Sequence, residues 1–97
     1  MPELSVVAVL VARDGQEDVV RSALRALVPP TRAEEGCLAY ELFESAASPG
    51  TFVTQERWRG QDDLDGHLQT PHVQQALTTA GDALAAAPGI HPLVPVR

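Results

Sequence analysis

A nearly continuous apolar run over residues 4–12, LSVVAVLVA, constrains the fold of this chain more than any other feature. The run is rich in valine and barely alternates with polar residues. A strand of this composition is typical of a position buried on both faces of a sheet. Both faces of this strand must therefore be covered in the folded protein.

The segment after this run predicts an amphipathic helix. Asp14 and Glu17 resemble a capping box that opens the helix just after the Asp14-Gly15 break. Apolar side chains then recur at spacings of four and three, which forms one broad stripe. Pro29-Pro30 is expected to end or kink this helix. The stripe consists of Val20, Leu24 and Leu27, widened by Val19 and Ala23.

Two strands joined by a turn are predicted next. Residues 37–44 (CLAYELFE) alternate, which places Leu38, Tyr40 and Leu42 on one face. The turn SAASPG follows, and residues 51–59 form the third strand of the chain. Its period of two puts four side chains on the same side: Phe52, Thr54, Glu56 and Trp58.

Two short helices and a final strand complete the pattern. Asp62 or Asp63 is expected to cap the first helix, and Thr70 the second, with Pro71 at its first position. Residues 90–96 form the last strand, which two prolines confine to a sheet edge or an exchanged position. The first helix presents Leu64, His67 and Leu68 on one face, and the second repeats apolar residues at Val73, Leu77, Ala80 and Leu84.

The order β-α-β-β-α-α-β predicts an α+β fold, a ferredoxin-like split βαβ sandwich with helices on one face of an antiparallel sheet. Residues 1–97 form a single domain, since a chain of this length has no room for a second core. The uncovered sheet face carries a mixture of apolar and polar residues. Pairing with a second copy would cover it, so a homodimer is expected.

Composition excludes several classes of function. The net charge of −6 argues against nucleic acid or an anionic membrane as partner, and no run approaches a membrane span. A cytoplasmic protein is expected. The chain has no lysine, which rules out Schiff-base catalysis and a P-loop. The single cysteine, Cys37, is expected to be a buried, inert thiol. No metal or cofactor is predicted, because His67 and His72 are separated by a helix break that does not match a zinc spacing.

Several segments together resemble the antibiotic biosynthesis monooxygenase family. The resemblance lies in the first strand, in TRAEEGCLAYELF, in FVTQERW and in LDGHLQTPHVQQAL, and it covers nearly the whole chain. It implies a dimeric α+β barrel with a pocket between each sheet and its own helices. It also implies cofactor-independent oxidation of a quinol or polycyclic aromatic, polyketide-like substrate by O2. Such chemistry requires only an apolar pocket, a proton acceptor and donors for developing anions.

The candidate catalytic residues lie in and around the third strand. His67 is the expected general base, since its ordinary pKa is near neutrality. Trp58 would be the wall on which an aromatic substrate stacks, and His72 and Tyr40 would be supporting donors. The remaining substrate-contact candidates are Phe52, Glu56, Leu64 and Leu68. For Trp58 and His67 a purely structural place in the core is the alternative, and Glu56 needs a buried partner such as an arginine or helix-terminal amides.

The same fold is compatible with three other functions. A non-catalytic ligand-binding or assembly protein would retain the pocket without the chemistry, and a small-molecule isomerase would need only the pocket and one base. Heme binding through His67 is a further alternative. Heme-degrading relatives and anthrone oxygenases place an asparagine beside the tryptophan, whereas this chain has none and carries Ser5 or Ala8 near that position.

Overall fold

A computed structural model describes residues 3–97, and its four strands form one antiparallel sheet in the order β2-β3-β1-β4. Three helices cover one face of this sheet. The elements are β1 (Leu4–Val11), α1 (Glu17–Arg32), β2 (Cys37–Glu44), β3 (Thr51–Trp58), α2 (Gln61–Leu68), α3 (Pro71–Ala80), a 3-10 turn (Gly81–Ala83) and β4 (Gly89–Pro92). This is the predicted ferredoxin-like α+β fold. None of the described helices has both the length and the apolar character to cross a membrane.

The first strand lies in the middle of the sheet, between β3 and β4. Its alternate residues, such as Val6 and Leu10, are buried beneath the helices. On the opposite face Val7 and Val9 are half-buried, and Val11 is exposed. The strand therefore has the apolar character of one covered on both faces, although this chain covers only one of them.

Helix starts differ from the sequence predictions at two of three positions. The residue before α1 is Gln16, so Asp14 does not cap it, and Gly60 precedes α2, so neither Asp62 nor Asp63 caps that helix. Acidic residues in these first turns still face the positive end of each helix dipole. At α3 the prediction is confirmed, because the Thr70 hydroxyl accepts a hydrogen bond from the Val73 amide and Pro71 follows the cap.

Pro29 and Pro30 do not end α1, which continues to Arg32. In the hairpin, a β-bulge between Cys37 and Ala39 shifts the alternation of β2. Tyr40 consequently faces the helices, whereas Leu38 is 44% exposed, so the prediction that they share a face is wrong. The bulge inserts one residue on the strand, and this reverses the side on which the preceding residue points.

The last strand is shorter than predicted, since β4 ends at Pro92 rather than at residue 96. It pairs with β1 through four residues and is the edge strand on that side of the sheet. Leu84 likewise does not belong to α3, which ends at Ala80, and instead forms an isolated bridge with Ala12. The prolines explain the short strand, because each removes a backbone donor from the ladder.

Candidate functional site

A cavity of about 210 Å³ lies between the sheet and the three helices. Ala8, Tyr40 and Thr54 contribute to its sheet side. The helices contribute mainly apolar side chains, and Leu77, Pro88 and Ile90 are its more exposed lining residues. The helical lining consists of Leu24, Leu27, Leu64, His67, Leu68, Val73, Ala76 and Ala80. A small apolar molecule is the kind of ligand that such a lining favours.

His67 brings a nearly buried imidazole to this cavity from the last turn of α2. Its Nδ1 lies 2.6 Å from Oε2 of Glu34, which does not line the cavity. The other edge of the ring carries Nε2, which has no hydrogen-bond partner within residues 3–97. An ionised carboxylate can only accept hydrogen bonds, so the proton of the neutral imidazole lies on Nδ1. The lone pair on Nε2 is therefore available to a bound molecule.

Glu34 also holds the second histidine. The same Oε2 atom accepts a hydrogen bond from Nε2 of His72, at 2.7 Å. Glu34 lies in the turn after α1, and His72 lies in the first turn of α3. The helix break after α2, with Thr70 as cap, turns both imidazoles toward one carboxylate. A third residue that orients a histidine in this way is a recurrent feature of sites with a histidine base.

A second carboxylate, Glu56, is buried on β3 and lines the cavity. Trp58 donates its indole N–H to Oε1 of Glu56 at 2.8 Å, and the Thr54 hydroxyl donates to Oε2. The Thr54 oxygen in turn accepts from the Ala8 amide at 3.2 Å, which links β3 to β1. The partners are therefore neighbours on the same strand, and the expectation of an arginine or helix-terminal amides is wrong.

Tyr40 lines the cavity, and its hydroxyl group has no hydrogen-bond partner among the described residues. Burial raises the pKa of the Tyr40 phenol well above its usual value, and the negative charge of Glu56 raises it further. Its ring centroid lies 5.8 Å from that of His67. Tyr40 is thus a neutral hydrogen-bond donor in the same cavity lining as His67.

Trp58 lies behind the cavity rather than in its wall. Its side chain is fully buried, and its ring centroid lies 4.7 Å from that of His67 at an interplanar angle of 39°. Phe52 is also outside the lining and packs in the apolar core cluster with Leu10 and Val20. His72 borders a separate groove between α1 and α3. Five predicted site residues do line the cavity: Tyr40, Glu56, Leu64, His67 and Leu68.

The carboxylate that orients His67 was not among the sequence candidates. Glu34 follows a proline-containing helix in a stretch without periodicity, and it is 33 residues from His67. No local pattern connects them, so only the folded chain reveals the contact.

Of the two residues expected near the position of the family's asparagine, Ala8 lines the cavity and Ser5 does not. Gln55 and Gln69, which could replace an asparagine as amide donors, are exposed and do not line the cavity. The described cavity lining therefore has no amide side chain.

Three potential metal-ligand atoms come together beside the cavity. They belong to Glu34, His67 and His72 and lie within 4.8 Å of one another. The break between α2 and α3, which argued against a zinc spacing in the sequence, brings the two imidazoles onto the same carboxylate.

Fold and site together define a small α+β domain that holds an oriented histidine at an apolar cavity. A model of the antibiotic biosynthesis monooxygenase family matches residues 4–79. The chain belongs to this family.

Curated relatives and solved structures agree with this assignment. Rv0793 from Mycobacterium tuberculosis is 34% identical over 93 residues, which cover 96% of this chain and 91% of the relative. Its solved structure superposes with a TM-score of 0.89, at 33% identity, over 99% of this chain and 97% of that one. PA3566 from Pseudomonas aeruginosa superposes with a TM-score of 0.88, at 31% identity, over 100% and 97% of the two chains.

A third relative carries a name that specifies a substrate class. "Probable quinol monooxygenase YgiN" from Escherichia coli (strain K12) is 34% identical over 82 residues. The match covers 73% of this chain and 78% of YgiN.

Proposed function

We propose that this protein is a cofactor-independent monooxygenase that oxidises a small quinol with O2. The observation that carries the proposal is the orientation of His67. Glu34 holds the proton on Nδ1, and the imidazole lines an apolar cavity with its Nε2 unpaired among the described residues. Membership of the monooxygenase family and similarity to a relative named for quinol oxidation support the same chemistry.

The reaction begins with proton transfer from one quinol hydroxyl to Nε2 of His67. The resulting anion is electron-rich and passes one electron to O2, and the two radicals then combine at a ring carbon. The peroxide anion takes the proton back from His67, and the resulting hydroperoxide loses water, which leaves a hydroxylated quinone. One oxygen atom thus enters the product and the other leaves as water.

Tyr40 and Glu34 have separate roles in this proposal. The Tyr40 hydroxyl remains protonated because of its raised pKa, so it can donate to the phenolate and then to the peroxide anion. Glu34 contacts no substrate. It positions the base and stabilises the imidazolium that forms when His67 accepts a proton.

The size of the cavity favours substrates with one or two rings. An apolar cavity of about 150 Å³ holds benzene, and pockets for drug-sized molecules begin at about 300 Å³. The present cavity of about 210 Å³ lies between these values. A three- or four-ring polyketide would require its exposed side, near Leu77 and Ile90, to open. We therefore propose benzoquinols and naphthoquinols rather than polycyclic aromatics.

The test is oxygen uptake by metal-free protein with benzoquinol and naphthoquinol panels, after subtraction of autoxidation. His67→Gln should lower the rate by about 10² to 10⁴, the usual contribution of a general base. His91→Gln is the matched control, since His91 is an exposed histidine on β4. Equal rates for both variants, or uptake no faster than the blank, would contradict the proposal. Substrate turnover without O2 consumption would indicate an isomerase instead.

We also propose that the protein is a homodimer whose interface is the sheet face opposite the helices. Apolar side chains are exposed there, including Val11 at 40% and Phe43 at 47%. A second copy would cover the half-buried valines of β1 and satisfy the two-sided apolar character of that strand. Light scattering should give the mass of two chains, and a single-chain mass at micromolar concentration would contradict the dimer.

A further inference from the structure

We propose that Glu34, His67 and His72 form a binding site for one divalent transition-metal ion. The three residues come from three different segments, yet their donor atoms lie within 4.8 Å of one another. Two imidazole nitrogens and one carboxylate oxygen form a ligand set that Zn²⁺, Co²⁺, Ni²⁺ and Cu²⁺ accept. A fourth position would remain for water.

The charges around the three residues favour a cation. Glu34 forms no ion pair with an arginine in the described part of the chain, where its partners are the two imidazoles. Arg32, two residues earlier, is directed to Glu41 instead. A carboxylate that is only 16% exposed therefore lacks a full positive charge beside it. A metal ion would supply that charge.

Metal binding requires the two nitrogen-to-oxygen distances to lengthen by less than about 1 Å. The two nitrogen-to-oxygen distances are 2.6 and 2.7 Å, the values of hydrogen bonds. Bonds of about 2.1 Å in a tetrahedral site place ligand atoms about 3.4 Å apart. The metal would replace the protons on His67 Nδ1 and His72 Nε2 and lie in the space that opens. His72 is 23% exposed, which provides a route for the ion from solvent.

The metal and the oriented base exclude each other. A metal on Nδ1 of His67 requires the remaining ring proton to lie on Nε2, which then donates instead of accepting. Bound metal would thus inhibit the proposed monooxygenase. The binding site rests on the side-chain positions alone, and only this consequence for activity rests on the proposed function.

Trp58 provides a direct readout of binding. It is the chain's only tryptophan, and its ring lies 4.7 Å from that of His67. Paramagnetic Co²⁺ at the site should quench its fluorescence, and prior addition of Zn²⁺, which does not quench, should prevent this. Calorimetry with Zn²⁺ on tag-free, metal-stripped protein should give one ion per chain.

Variants assign the binding to these residues. Glu34→Gln and His72→Gln should each weaken Zn²⁺ binding at least about tenfold, with circular dichroism to confirm folding. His91→Gln is the matched histidine control, and Cys37→Ser tests the single thiol. Both controls should bind like the natural chain.

Three results would overturn the metal site. The first is no binding up to millimolar Zn²⁺, and the second is binding unchanged in both Glu34→Gln and His72→Gln. The third is binding lost in His91→Gln or Cys37→Ser. These results are independent of oxygen uptake, so failure of the metal site and failure of the monooxygenase proposal can be told apart.

Discussion

Replacement of Thr54 by valine should destabilise the fold strongly although the two side chains have the same shape. Thr54 is 2% exposed, and its hydroxyl connects two elements of the site. The hydroxyl donates to the buried carboxylate of Glu56 and accepts from the Ala8 amide. Valine can do neither, so both groups lose a partner in a place that water scarcely reaches.

The expected cost follows from these two contacts. A hydrogen bond to a charged group contributes about 1.5–3 kcal/mol, and a buried N–H left without its acceptor costs about 1–3 kcal/mol. The added methyl group offsets about 0.8 kcal/mol through apolar burial. The net loss is therefore about 2–5 kcal/mol, in a domain whose total stability is about 5–15 kcal/mol.

Urea unfolding followed by circular dichroism measures this loss. In thermal unfolding the same change should lower Tm by at least about 10 °C for a chain of this size. Thr54→Ser is the matched control, because it retains the hydroxyl and removes only a methyl group, at about 1 kcal/mol. If valine cost no more than serine at this position, the role assigned to the Thr54 hydroxyl would be refuted.

Three further predictions concern other parts of the molecule. The folded chain should not show the phenolate absorbance of its single tyrosine, Tyr40, at the usual pKa of about 10. Since burial raises this pKa in the folded state, the contribution to stability is present below about pH 10 and lost above it, and alkaline unfolding should coincide with the absorbance change. Thr70→Ala should cost about 1 kcal/mol in urea unfolding through loss of the cap on the Val73 amide, whereas Thr70→Ser should cost little. Gly36→Ala should cost about 1–3 kcal/mol because a Cβ at this position overlaps the Asp63 side chain. A Gly60→Ala control, at a glycine whose added Cβ meets no atom within 4 Å, should not show this steric cost.

The order of the elements could be predicted from the sequence because apolar periodicity is a local signal. The valine-rich first strand and the alternation of β3 identify a central and a neighbouring strand, and the Thr70-Pro71 pair marks the start of α3. Details that depend on backbone hydrogen bonds could not be predicted. The bulge that turns Leu38 outward and the helical continuation through Pro29 are two examples. Neither leaves a signal in the spacing of apolar and polar residues.

Only part of the candidate site could be predicted from the sequence. His67 and Leu64 could be predicted to face the sheet because they lie on the apolar face of their helix. Glu56 could be predicted to point inward from the alternation of its strand. All three line the cavity. The partner of His67 could not be identified, since Glu34 lies in a turn and is distant in sequence. The position of Trp58 behind the cavity, and not in its wall, could not be predicted either. Periodicity gives the side on which a residue points, but not whether another side chain lies between it and the cavity.

The carboxylate of Glu56 has a consequence for how this fold can diversify. Its donors, Thr54 and Trp58, are the alternate neighbours on its own strand, so the charge and its partners move together as part of the sheet. The helices that form the opposite wall contribute mostly apolar side chains, which need no hydrogen-bond partners. Substitutions there can widen or narrow the cavity without leaving a buried charge unpaired. The sheet side of the cavity can thus stay the same while the helical side changes to fit molecules of different shape.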